Sequence, residues 1–315
     1  METSEIQKNV DTVLDHVMDA VVGDREFFRN IFIGLLSGGH VLIEDVPGTG
    51  KTLTSRSFAN SVDLEFTRIQ FTPDLLPKDV VGNYIYNESE REFEFNEGPI
   101  FGNVVLADEI NRAPPKTQAA LLESMEEGQV TVDGNSHELP KPFYVIATQN
   151  PVEQTGTFPL PEAQKDRFWL KTEIGYPSSE EDLELLERRL GRTESTPNVS
   201  SVLSLDDVVD MKNSVERVEV DTVVLEYIRD LARTTRRQNV VELGVSPRGM
   251  QRLLEVSRAR ALTEGREFVI PEDVKKLVHP VLEHRLILTP DARVKNLTKQ
   301  RVISQVVNTV ATPTV

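Results

Sequence analysis

The chain opens with apolar residues at helical spacing. Ile6, Val10, Val13, Leu14, Val17, Met18 and Val21 fall on one face of a 3.6-residue period, which predicts an amphipathic helix. Ser4-Glu5-Ile6-Gln7 reads as its capping box, and Val22-Gly23 as its end. A second helix is expected around Asp24 to Leu36. The pattern then changes to short apolar runs. Val41 to Ile43, Phe66 to Gln70, Val104 to Ala107, Phe143 to Thr148 and Trp169 to Ile174 are candidate strands, and helical segments lie between them. Strands alternating with helices predict a parallel sheet covered on both faces, in an α/β class protein.

Two stretches break this alternation. Gly82 to Tyr86 with Phe93 to Phe95, and Val130 to Val132 with Leu139 around Asp133-Gly134, read as exposed hairpins projecting from the sheet. Past Tyr176-Pro177 the strand pattern stops. Ser179 is expected to cap a helix through Leu190, and 191–201 is polar and linker-like. Helices follow near Ser204–Met211, Asp221–Arg237, Ser246–Thr263 and Pro271–Leu282. The expected division is a core over 1–177, a connecting helix and loop over 178–202, and a small all-helical domain over 203–315.

The strand–helix junctions carry the chemistry. After Val41-Leu42-Ile43 comes Asp45-Val46-Pro47-Gly48-Thr49-Gly50-Lys51-Thr52, followed by a helical segment. In that setting the segment reads as a phosphate-binding loop. Its glycines let backbone N–H groups turn inward, the helix N-terminus adds positive potential, Lys51 reaches the β- and γ-phosphates, and the Thr52 hydroxyl ligates Mg²⁺. The strict pattern wants glycine at Asp45, a position where the loop only begins. The plain alternative is a Gly-Pro turn that happens to carry a lysine. Val104 to Ala107 ends in Asp108-Glu109, where Asp108 can hold Mg²⁺ and Glu109 can take a proton from an attacking water. Asn150 closes another strand, where it either orients that water or simply starts a turn before Pro151. Arg167, just before the last strand, is either an internal salt-bridge partner or a cation supplied to phosphoryl transfer in a neighbouring subunit.

Composition narrows the classes. A chain of 315 residues can bury a sizeable core in two domains. It has no cysteine, hence neither disulfides nor thiolate metal sites, which suits a cytoplasmic protein. The formal charge of −16 argues against nucleic acid as a partner. The densest basic cluster, Arg233, Arg236 and Arg237, reads as a solvated or subunit-facing helix surface. No apolar stretch is long enough for a membrane span, so no membrane insertion is expected.

The block Ala107-Asp108-Glu109-Ile110-Asn111-Arg112-Ala113-Pro114-Pro115-Lys116-Thr117-Gln118 resembles the MoxR family of AAA+ ATPases. So do Leu121 to Glu127, Ala147 to Pro151, Leu160 to Gln164, Asp166-Arg167-Phe168 and Ser246-Pro247-Arg248. The resemblance covers nearly the whole chain and implies a phosphate-loop NTPase core followed by a lid domain. It implies Asn150 as sensor 1, Arg167 as an arginine finger and Arg248 as sensor 2, its target nucleotide left open. Val22 and Gly23 would lie beside the adenine, with a helix-2 insert over about 82–96 and a pre-sensor-1 hairpin over about 129–141. It further implies ATP and Mg²⁺ as cofactors, and a ring, expected to be a hexamer. The role implied is chaperone-like activation of partner protein complexes, often with a protein bearing a von Willebrand factor A domain. A DNA-translocating motor and a non-hydrolysing nucleotide-dependent scaffold are the alternatives.

Overall fold

The computed structural model describes residues 1–44, 48–150, 156–191 and 199–314. Helices α1 (Thr3–Ala20) and α2 (Arg25–Leu36) lead into strand β1 (Val41–Glu44) and helix α3 (Lys51–Ser61). Next come β2 (Phe66–Gln70), α4 (Pro77–Val81), the hairpin β3 (Gly82–Asn87) and β4 (Glu92–Glu97), then β5 (Val104–Asp108). Helix α5 (Pro115–Glu127), a second hairpin β6 (Gln129–Val132) and β7 (Asn135–Glu138), β8 (Tyr144–Gln149), α6 (Glu162–Lys165) and β9 (Leu170–Thr172) complete this part. The five core strands form one parallel sheet in the order β2-β5-β8-β1-β9.

Side-chain alternation along these strands divides the interior. Val41, Ile43, Val104, Leu106, Tyr144 and Ile146 point to one face, with α1, α2 and Phe58 of α3. Leu42, Val105, Ala107, Val145 and Ala147 point to the other, with Leu121, Leu122 and Met125 of α5. Both faces are covered, so the inner strands β5, β8 and β1 are buried along nearly their whole length, as a parallel sheet requires, while the edge strands β2 and β9 carry Arg68, Gln70 and Lys171.

The remaining elements are helical: α7 (Ser179–Gly191), α8 (Leu205–Val215), α9 (Thr222–Arg237), α10 (Pro247–Thr263), α11 (Pro271–Leu282), α12 (Pro290–Val294) and α13 (Lys299–Thr309). One amendment to an all-helical segment is needed. β10 (Val241–Leu243) pairs antiparallel with β11 (Ile287–Leu288). Segments of two and three residues have no readable period, so only their tertiary pairing reveals them. The α1–α2 face of the sheet and the C-terminal helices share one hydrophobic cluster, in which Val10, Val13 and Phe32 join Val256, Leu277 and Val302.

Two helix starts differ from expectation. α1 begins at Thr3 after Glu2, without a side-chain cap, so Ser4 lies inside the helix. α7 is capped by Ser178, not Ser179: Ser178 Oγ accepts from the Glu181 N–H at 3.3 Å, and Glu181 Oε2 accepts from the Ser178 N–H at 2.7 Å. No helix among the described residues is long and apolar enough to cross a membrane.

Candidate ATPase site

The sheet brings the sequence-predicted groups to one edge. Lys51 and Thr52 open α3 directly after the loop that follows β1, Asp108 ends β5, and Asn150 follows β8. All are at carboxyl ends of parallel strands, where open α/β sheets bind ligands. Asp45, Val46 and Pro47 lie outside the described residues, as does Pro151. Gly48 and Gly50 have φ of +86° and +85°, a left-handed conformation that glycine adopts without strain. A Cβ at Gly48 would meet nothing within 4 Å, so the backbone there faces open space, whereas one at Gly50 would meet Val21 at 3.7 Å.

Beside this loop is a cavity of about 380 Å³, lined by Val21, Val22, Gly48, Thr49, Leu53 and Leu185 among others. Its largely apolar wall next to a left-handed glycine loop suits a base and its ribose. Val22 lines it. Gly23 instead backs onto Phe28, whose ring would stand 3.2 Å from an added Cβ. A larger cavity, about 610 Å³, lies by Met1 and Phe268 and holds none of the candidate groups.

The acidic pair is tightly held. Asp108 Oδ1 accepts the Thr148 hydroxyl at 2.6 Å, and Oδ2 accepts Arg68 Nη2 at 2.7 Å. Glu109 sits at φ +56°, a strained setting for a non-glycine residue, and its N–H donates to Thr148 Oγ1 at 2.8 Å. Its Oε2 accepts from Gln70 Nε2 at 2.8 Å and Arg112 Nη1 at 3.0 Å. Arg68, Gln70, Arg112 and Thr148 escaped the sequence reading. Arg112 reaches Glu109 from three residues on in the chain, whereas only β2–β5–β8 adjacency puts Arg68, Gln70 and Thr148 on the acidic pair, their one signal being their place in predicted strands. Gln118, buried, explains part of the Asp108–Gln118 block: its amide lies 3.1, 3.0 and 2.9 Å from the carbonyls of Ile110, Ala113 and Phe158, bracing the loop after Glu109. Asn150 is buried, and its backbone carbonyl accepts from Asn111 Nδ2 at 3.3 Å.

Arg167 and Arg248 are elsewhere. Arg167 precedes the start of β9, so it lies at the amino edge of the sheet, while Lys51 lies past the carboxyl edge, the two edges being separated by four residues of strand, roughly 13 Å. There its Nε is 3.1 Å from Glu126 Oε2, while Arg248 Nη2 donates to Glu126 Oε1 at 3.0 Å. A cavity of about 180 Å³ opens between them, lined by His40, Glu126, Arg167, Trp169, Arg248 and Arg252 among others. Arg252 stacks on Trp169 at 3.8 Å, and burial, with Arg248 adding to it, lowers its pKa. Arg285, almost fully buried, donates to Asp166 Oδ1 at 2.7 Å and to the carbonyls of Phe168 (2.8 Å) and Trp169 (3.2 Å), fixing the backbone on both sides of Arg167. Burial pushes its pKa down to about 10, against the pull of Asp166. The structure therefore groups Arg248 with Arg167 and not with the phosphate loop.

A parallel sheet with a glycine loop at β1, an Asp-Glu pair at β5 and a helical C-terminal part defines an ATPase of the AAA type. The family model "ATPase family associated with various cellular activities (AAA)" matches residues 40–170, and an AAA lid domain model matches 233–306. The Bacillus subtilis (strain 168) protein YeaC, itself uncharacterised, is 46% identical over 300 residues, covering 95% of this chain and 93% of that protein. Chaperone MoxR1 of Mycobacterium tuberculosis is 42% identical over 304 residues, covering 94% and 80%. The crystal structure of a candidate ATPase from Cytophaga hutchinsonii superposes with a TM-score of 0.91 at 38% identity, covering 99% of this chain and 97% of that one. The chain belongs to the MoxR family of AAA+ ATPases.

Proposed function

We propose that this protein hydrolyses ATP in a ring of like subunits, with Arg167 completing the neighbour's active site. The observation that supports this is the separation of Arg167 from its own phosphate loop by the length of the sheet. An arginine that acts on phosphoryl transfer but cannot reach its own nucleotide needs a second copy. Lys51 and the N–H groups around Gly48–Gly50 would hold the phosphates, and Val22 would face the base. Thr52 and Asp108 offer hard oxygen donors of the kind Mg²⁺ takes, and the ion would neutralise phosphate oxygens. Glu109 would accept the water's proton once it leaves Gln70 and Arg112, and Asn150 would orient that water. Arg248, beside Arg167, would act on the same neighbouring nucleotide. One relative bears the name chaperone, and this supports a role in activating a partner protein complex, of which a von Willebrand factor A domain protein is a candidate member. Six subunits and a cytoplasmic location complete the proposal.

The test mixes two inactive proteins. Lys51→Ala should lose nucleotide binding, and Arg167→Ala should bind ATP but not turn it over. Rings formed from both contain sites with an intact loop facing an intact arginine, and these should recover ATPase activity. Mixed rings without recovered activity would return Arg167 to the role of an internal salt bridge.

A further inference from the structure

We infer that Glu126 is the positioning residue for the arginine pair, setting Arg167 and Arg248 together before a neighbour's nucleotide arrives. This rests on the trans reading of Arg167 above. Glu126 lies in the last turn of α5, two residues before its left-handed cap Gly128, so its backbone is fixed by a packed helix whose Leu121, Leu122 and Met125 are buried. Its two carboxylate oxygens divide the work: Oε2 takes Arg167 from the segment before β9, and Oε1 takes Arg248 from α10. The two arginines come from distant parts of the chain, and among the described residues this carboxylate is their shared ion-pair partner.

The atoms engaged argue for orientation rather than blockade. Glu126 pairs with the Nε of Arg167, and a guanidinium held there still presents its two terminal nitrogens as a fork for phosphate oxygens. Arg248 is held through Nη2, leaving its Nη1 and Nε donors. Charge points the same way. Arg167, Arg248 and Arg252 line this recess together with Glu126 and Asp166, and Arg285 takes up Asp166. A net positive recess on a chain of charge −16 suits an incoming polyphosphate even with the carboxylate in place. Without Glu126, two long side chains carrying like charge would repel and sample many rotamers, and each turnover would have to order them again.

The test uses the mixed ring, whose activity comes only from Arg167→Ala subunits that receive arginines from Lys51→Ala subunits. Glu126→Gln, added to the Lys51→Ala subunit, should lower kcat of the mixture by about 10- to 100-fold at little change in KM, the scale of a misplaced catalytic group. Added to the Arg167→Ala subunit, where there is no finger to hold, it should leave the mixture as it was. Glu126→Asp in the arginine donor keeps the charge at shorter reach and should fall between. Equal effects in both subunits, or none in the donor, would overturn the assignment, since a general structural defect does not depend on which subunit carries it. A parent mixture that recovers no activity would remove the trans reading itself, and the positioning role with it.

Discussion

The two edges of the sheet differ in almost every physical respect. At the carboxyl edge, Gly48 faces open space and acidic side chains are held by hydroxyl, amide and arginine donors. At the amino edge, three arginines line a recess with two carboxylates, braced by an indole ring and by the buried backbone contacts of Arg285. One edge can hold a polyphosphate and activate water, and the other can only supply cations. On the proposed reading neither edge is an active site alone, and the separation of the two halves is what would call for a second copy of the chain.

The largest effects should come from removing one half at a time. Arg167→Ala should lower hydrolysis by about 10³–10⁵-fold while leaving ATP affinity nearly intact, measured as steady-state turnover beside equilibrium nucleotide binding. Loss of affinity to match would place Arg167 in its own site and erase the division between edges. Glu109→Gln removes the proton acceptor from the other edge and should cost about 10²–10⁴ in kcat. Because the amide cannot accept that proton but keeps the side chain's shape, ATP should stay bound and the complex accumulate; rapid turnover would move the base elsewhere.

A gentler perturbation separates the edges by pH. His40, under the arginine recess, is fully buried, its Nδ1 accepting from the Val145 N–H at 3.0 Å and its Nε2 lying 3.1 Å from the Met125 carbonyl. Burial lowers its pKa to about 4, with Lys212 and Arg252 adding to the effect against the Met125 carbonyl. Burial likewise pushes His284 well below its ordinary value. Both are neutral when folded and would take up protons near pH 6.5 when unfolded. Stability is thus complete above about pH 6.5 and declines as pH falls toward 4, by up to about 1.4 kcal/mol per pH unit for each histidine. Chemical denaturation across that range should show the decline, and His40→Gln should flatten it; a pH-independent midpoint would contradict the buried neutral state. The smallest effect should be at the β3–β4 hairpin tip, outside both edges. Phe93 is 69% exposed and its ring meets only Tyr86 across the hairpin, at 5.3 Å, among the ring pairs of the described residues, so Phe93→Ser should change unfolding free energy by no more than about 1 kcal/mol. A larger loss would mean the hairpin is packed against something.

The sequence by itself determined the alternation of strands and helices, the phosphate loop at the end of the first strand and the acidic pair at the end of another. These are local: an apolar run followed by Gly48, Gly50 and Lys51 carries its own conformational logic, and so does the period of α1. The hairpins were legible for the same reason, since strict alternation and Asp133-Gly134 act over a few residues. Tertiary structure alone decided the rest. Arg68, Gln70 and Thr148 reach the acidic pair only because β2, β5 and β8 are neighbours in the sheet, an order that no spacing encodes. The ladder of β10 and β11 joins segments more than forty residues apart that are too short to show a period. Nothing in the local sequence marks Glu126 as a shared partner; the fold brings Arg167 and Arg248 to it from separate segments of the chain. Long-range pairing of charges depends on where the core places their backbones, and that placement is a property of the whole fold.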